Sequence, residues 1–260
     1  MEFHTLAYRG SLAVSDDIAV VVPVADGVYA SSTTLSGTSG FLLPAKRKVI
    51  AAWVGSLHLE GSRFKAPSFY QVAPPHIRPS MRATLPGSDP NMQVLFDEPI
   101  QLSENEVLAV EAAHSHSSAE TVTALVWLAD DLEPAPAGQS FWIRYTSSGA
   151  VTSGLWSRIT ITLDQPLPDG TYAVVGMEHW SQTCIAARLV FPGRESRPGV
   201  LGLSGTNGAR SQRTHAVFYE GGLGLYGKFM SYTLPQVEVL ATGTDNSHIG
   251  YLRIIQLGNK

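Results

Sequence analysis

The sequence predicts an all-β protein made of two tandem antiparallel jelly-roll β-sandwich domains. Three observations carry this. Apolar residues fall almost everywhere in period-two or short continuous runs rich in β-branched and aromatic side chains. Short motifs recur in the two halves in the same order. The 260 residues also divide at a proline-rich stretch into halves of roughly 130 residues, a suitable length for about eight strands each.

In the first half, strands are expected at "IAVVVPV" from Ile18, "VIAAWVGSLHL" from Val49, "MQVLF" from Met92, "EVLAVEA" from Glu106 and "TVTALVWLA" from Thr121. Gly, Pro, Asp and Ser punctuate them, as turns require. The second half repeats the style with "RITITL" from Arg158, "TYAVVGMEHW" from Thr171, "CIAARLVF" from Cys184, "HAVFYE" from His215, "FMSYTL" from Phe229, "VEVLA" from Val237 and "GYLRIIQL" from Gly250. No amphipathic helix longer than two turns is expected. Between the halves, "DDLEPAPAG" resists both ladder and helix, so residues 1–131 form the first jelly roll, 132–139 the linker and 140–260 the second.

The internal repeat rests on "PVADGVY" ending at Tyr29 against "PLPDGTY" ending at Tyr172, which pairs Asp26 with Asp169. "VGSLH" ending at His58 stands against "VGMEH" ending at His179, and "IRP" ending at Pro79 against "SRP" ending at Pro198. "VLAVEA" and "TALVWL" align with "VEVLAT" and "YLRIIQL", and the opening "FHTLAY" at Phe3 with "FWIRY" at Phe141.

Composition excludes several classes of function. A net charge of −4 gives no overall electrostatic reason to bind nucleic acid. Charged residues make up 15%, against about 25% in an average soluble domain, while hydrophobic residues at 44% are ordinary; the deficit suits polar surface reserved for other subunits. The lone Cys184, in "QTCIAARLVF", excludes an intramolecular disulfide framework and reads as a small buried hydrophobe. No apolar run of about 18 residues occurs, and the N-terminus has no signal-peptide core, so a soluble protein of a reducing compartment is expected.

The sharpest chemical motif is "HSHSSAE", whose His114, His116 and Glu120 resemble a cupin metal set. The flanking glycines and the second motif of a cupin are missing, and alignment with the other half places the stretch in a loop. No metal, cofactor or catalytic residue is therefore assigned, and replacing both histidines is expected to have a surface-sized effect of about 0.5 kcal/mol. His58 and His179 read as strand histidines. No G-x-S-x-G elbow, H-E-x-x-H helix or phosphate loop is present, and "GGLGLYG" around Gly222 reads as a β turn. Lys46, Arg47 and Lys48 form the longest basic run, and Arg210 and Arg213 a second group. The first run is the candidate contact with an anionic surface, either membrane or packaged genome.

Taken together, the tandem repeat "PVADGVY"/"PLPDGTY" and "VGSLH"/"VGMEH", the short linker and the lack of a catalytic set resemble the double jelly-roll major capsid proteins of tailless icosahedral viruses, many with an internal membrane. The resemblance is architectural and spans nearly the whole chain. It implies a structural, non-enzymatic protein whose homotrimers form pseudo-hexagonal capsomers. The implied partners are the protein itself, other capsid proteins, and the viral membrane or genome through a local basic loop, with no small-molecule substrate. The implied location is the virion, assembled in the host cytoplasm. Two alternatives stand beside it: a bicupin-type metalloenzyme using His114, His116 and Glu120, and a carbohydrate-binding or adhesive β-sandwich using Trp142, Trp156 or Trp180.

Overall fold

A computed structural model describes residues 2–13, 18–33, 37–68, 93–94, 96–203 and 214–258. The chain divides into a first unit, Thr5–Asp131, and a second unit, Leu132–Lys260 together with Met1–His4. Strands of the first half are β1 (Phe3–Leu12), β2 (Ala19–Val21), β3 (Ser31–Thr33), β4 (Ser39–Leu42), β5 (Arg47–Gly55), β6 (Leu59–Lys65), β7 (Gln93–Val94), β8 (Ile100–Leu102), β9 (Val107–His114) and β10 (Glu120–Ala129). One sheet runs β1-β10-β5-β7, with β8 also on β5; the other runs β2-β9-β4-β3, with β6 also on β9.

The second unit contains β11 (Ser140–Ser147), β12 (Ser157–Ile159), β13 (Thr162–Leu163), β14 (Thr171–Trp180), β15 (Cys184–Val190), β16 (Gly199–Leu201), α1 (Thr214–Glu220), β17 (Gly227–Met230), β18 (Gln236–Ala241) and β19 (His248–Gly258). Its sheets run β13-β11-β19-β14-β17 and β12-β18-β15-β16.

These orders define the fold. If the eight main strands of a jelly roll are lettered B to I along the chain, its two sheets run B-I-D-G and C-H-E-F. In the second unit β11, β19, β14 and β17 fill the first sheet and β12, β18, β15 and β16 the second. In the first unit β1, β10, β5 and β7/β8 make B-I-D-G, while β2/β4, β9 and β6 make C-H-E; no strand among the described residues occupies F. Both units are antiparallel jelly-roll sandwiches.

Side-chain alternation builds each core. In the first unit Val49, Ala52 and Val54 of β5 and Val122, Ala124, Val126 and Leu128 of β10 face Leu108, Val110 and Ala112 of β9 across the two sheets. Tyr8 of β1 crosses the sandwich, its hydroxyl donating to the Leu108 carbonyl at 2.6 Å, and its ring meets Phe41 edge-on at 5.1 Å. The intervening Ala51, Trp53, Leu125 and Trp127 are buried as well. Strands apolar on both faces read as continuous runs rather than alternating ones, which is how these two appear in the sequence.

The structure departs from the sequence reading in identifiable places. "HAVFYE" is not a strand but α1. Its buried residues Thr214, His215 and Phe218 follow helical spacing, while Tyr219, which a strand would place with His215, is exposed. The glycines that follow are its cap: Leu223 N–H donates to Phe218 O at 2.8 Å and Gly222 N–H to Tyr219 O at 3.1 Å, with Gly222 at φ +90, a Schellman end in place of the expected β turn. The run "VIAAWVGSLHL" breaks at residues 56–58 to leave β5 and start β6.

"PVADGVY" lies between β2 and β3, whereas "PLPDGTY" runs into β14, so Asp26 and Asp169 hold different places in their jelly rolls. Asp26 accepts the Val28 and Tyr29 N–H groups in an Asx turn, which explains the aspartate locally. The linker is packed rather than free. Glu133 O accepts Gly224 N–H at 2.9 Å and Leu225 N–H at 3.0 Å, and Ala135 lies against the cluster of Ala173, Val175, Leu225 and Ile255. The first residues join the same unit, Phe3 meeting Phe218 and Tyr226 edge-on. Pro79, Arg210 and Arg213 lie outside the described residues.

Candidate functional site

In the first unit, the turn from β5 to β6 and the loop from β9 to β10 bring three histidines around one carboxylate. Glu120 is buried at the first position of β10, 9% exposed. Its Oε1 accepts the Ser56 hydroxyl in a short bond and the His58 N–H at 2.9 Å, and its Oε2 faces His58 Nδ1 at 2.9 Å. The His116 ring stacks on His58 with centroids 4.3 Å apart. His114 ends β9 and is 1% exposed, so it is a strand residue rather than the loop residue expected. Its Nδ1 accepts the His116 N–H at 3.2 Å while Nε2 faces the Leu12 carbonyl at 3.4 Å. Loss of such buried bonds costs more than a surface substitution. Burial alone would push the Glu120 carboxyl up, but the bonds from Ser56 and His58 and the charge of His58 together hold it below the usual carboxylate value.

The second unit builds a different histidine cluster. Tyr145 of β11 lies 2.8 Å from His179 Nδ1, His179 Nε2 lies 3.3 Å from His248 Nδ1, and His248 Nε2 lies 3.0 Å from the Gly149 carbonyl. One proton arrangement satisfies every link: Tyr145 O–H donates to His179, His179 Nε2–H to His248, and His248 Nε2–H to Gly149. Both rings are then neutral. Burial, followed by the neighbouring His248, lowers His179 to about 3, against an opposing pull from Asp245. Burial also lowers His248. Bonds from Ser247, Ser181 and Thr183 outweigh burial at Asp245 and keep its carboxyl below its ordinary value.

A second feature occurs in both units at equivalent strands. Arg63 of β6 stands directly opposite Glu111 of β9, and Arg188 of β15 directly opposite Glu238 of β18. Glu111 also takes Lys65 at 3.0 Å. Glu238 takes Arg158 at 2.6 Å and Arg188 at 2.8 Å, and the Arg188 guanidinium covers the Trp156 ring at 4.1 Å. Neither pair was singled out from the sequence. The signal was present, since "VEA" and "VEV" each set one glutamate into an apolar strand where a buried partner is required.

The basic run does not offer three cations to one surface. Arg47 is 6% exposed, with Nε bonded to the Tyr29 hydroxyl and Nη1 to the Lys46 carbonyl, and Lys48 lies 3.4 Å from Asp131. Lys46 is exposed. Of the three tryptophans, Trp142 is exposed at 41%, whereas Trp156 and Trp180 are half-buried. Cys184 is fully buried, as the sequence implied, and burial pushes its thiol up. A depression of about 790 Å³ in the second unit is lined by Arg158, Arg194 and Arg197, with no histidine, cysteine or serine in its wall. Among the described residues no helix is long and apolar enough to cross a membrane.

No protein-family model matches the chain, and no curated protein matches it. Among solved structures, the major capsid protein P2 from Bacteriophage PM2 is similar over 96% of this chain and 98% of that chain, at 11% identity and a TM-score of 0.26. At that score the likeness adds nothing to the strand orders above.

Proposed function

We propose that this protein is a viral major capsid protein, three copies of which form a pseudo-hexagonal capsomer of an icosahedral shell. One observation carries the reading: a single chain holds two jelly-roll strand orders in succession. Duplication lets a threefold assembly present six similar sandwiches, so one gene product fills a near-sixfold position. The low charge supports it, because closely packed lateral contacts deplete charged residues. Trp142 and Tyr251, 41% and 39% exposed, lie on one face of the β11–β19 pair and supply apolar contact area. In this reading the protein is structural and not an enzyme, and its partners are its own copies and other capsid proteins. The shell is assembled in the host cytoplasm.

Sedimentation of the purified chain tests it. Trimers are expected, with Trp142→Ala weakening them by more than it lowers the melting temperature of the monomer, since permanent interfaces bury more than about 2,000 Å² and rest on such anchors. A strict monomer at every concentration overturns the reading.

A further inference from the structure

The histidine cluster of the first unit has a property that a coat-protein role does not call for. His58, His116 and Glu120 each present a ligand atom, and these atoms lie within 4.8 Å of one another. We propose that they form a zinc-class divalent cation site that staples the β5–β6 turn to the β9–β10 loop. Two imidazoles and one carboxylate are the donor set of zinc and its neighbours rather than of calcium or magnesium, which take oxygen ligands.

The surrounding contacts are those of a supported site. Glu120 has Oε1 held by Ser56 and by the His58 N–H, which leaves Oε2 facing the His58 ring. His114 does not ligate: its Nδ1 is committed to the His116 N–H and its Nε2 faces the Leu12 carbonyl, so it anchors the loop that carries His116. The cation displaces the proton shared by His58 Nδ1 and Glu120 Oε2, 2.9 Å apart, which passes to solvent.

One adjustment is required. The two rings are stacked with their planes 17° apart, and nitrogens of parallel rings cannot aim at one point. Tetrahedral zinc with bonds of about 2.1 Å sets its ligands about 3.4 Å apart, so one ring must turn as the set closes. His58, exposed at the turn, can make that rotation without disturbing a packed core. Water completes the coordination. The second unit cannot do the same, because the nitrogens of His179 and His248 are consumed by Tyr145, by each other and by Gly149.

The test uses the full chain, stripped with EDTA and titrated with zinc chloride by calorimetry, with cobalt(II) absorption as a second readout. One equivalent is expected to bind with micromolar or tighter affinity and to raise the melting temperature, since a cation bound only by the folded form stabilises it. Cobalt should give the intense visible bands of four-coordination. His58→Ala and His116→Ala should each weaken binding by at least about tenfold, with metal-free His116→Ala melting close to the parent and metal-free His58→Ala somewhat lower, because it also removes the ring contact of Glu120. Less than stoichiometric binding at saturating zinc overturns the proposal, as does a His58→Ala/His116→Ala double variant that binds as well as the parent. Trimer formation is a separate readout, so failure here leaves the coat-protein reading standing.

Discussion

The two units place histidine clusters beside corresponding strands and solve the problem of a buried polar group in opposite ways. In the first unit Glu120 starts the last strand, is held below the usual carboxylate value, and takes its bonds from an exposed histidine and a serine. In the second, His248 starts the last strand, and two neutral rings form a chain closed at one end by a tyrosine and at the other by a carbonyl. Where solvent reaches the cluster a charge can stay; where it does not, neutral groups that satisfy one another are favoured. A shared strand order thus dictates where polar groups meet, while exposure decides which protonation state survives.

The largest expected effect sets the two glutamate–arginine pairs against each other. Glu238→Ala leaves Arg188, 1% exposed, without its carboxylate and should cost about 3–5 kcal/mol in urea unfolding. Glu111→Ala leaves Arg63 and Lys65, 29% and 20% exposed, and should cost only about 1 kcal/mol. Equal losses would break the distinction between a closed and an open unit.

Acid should separate the units next. His179 titrates at about 3 folded and at 6.5 when unfolded, so the unfolded state takes up its proton first. Stability from this group is whole above pH 6.5 and falls as pH drops toward 3, at up to about 1.4 kcal/mol per pH unit. Glu120, lowered from the ordinary carboxylate value, keeps its contribution above that value and loses it only as pH falls through the folded one. Unfolding followed between pH 6.5 and about 5 should therefore weaken the second unit alone, and His179→Asn should reduce its slope while leaving the share of His248, which burial also lowers. Parallel weakening of both units would contradict the account.

A smaller change sharpens the first cluster. Glu120→Gln keeps the shape but loses the acceptor for the His58 ring, and should cost about 1–2 kcal/mol by thermal melting. The smallest effect belongs to the basic run, where Lys46→Ala should change stability by no more than about 0.5 kcal/mol.

Particular residues show how far the sequence was readable. β14 and β15 begin and end within a residue of the runs that predicted them, because β-branched and small apolar residues between turn signals leave little choice of element. α1 was missed because six residues of "HAVFYE" fit either period, and only the glycines after it mark a helix end. The repeated Asp-Gly motif misled for a physical reason. An Asx turn is a local device that can recur anywhere, whereas Glu111 and Glu238, each opposite an arginine on the neighbouring strand, do coincide in strand order. The candidate site was half readable: His114, His116 and Glu120 are close in sequence, but the member that matters with them, His58, arrives from the turn where the chain passes from β5 in one sheet to β6 in the other and is placed only by strand order.

Electron cryomicroscopy of the protein's assemblies, purified from its native source or re-formed in solution, tests the central claim most directly. Three chains per block are expected, each contributing two jelly rolls with the strand orders given above, joined side to side in a closed shell. Particles lacking this chain, together with a protein that stays monomeric throughout, would contradict it.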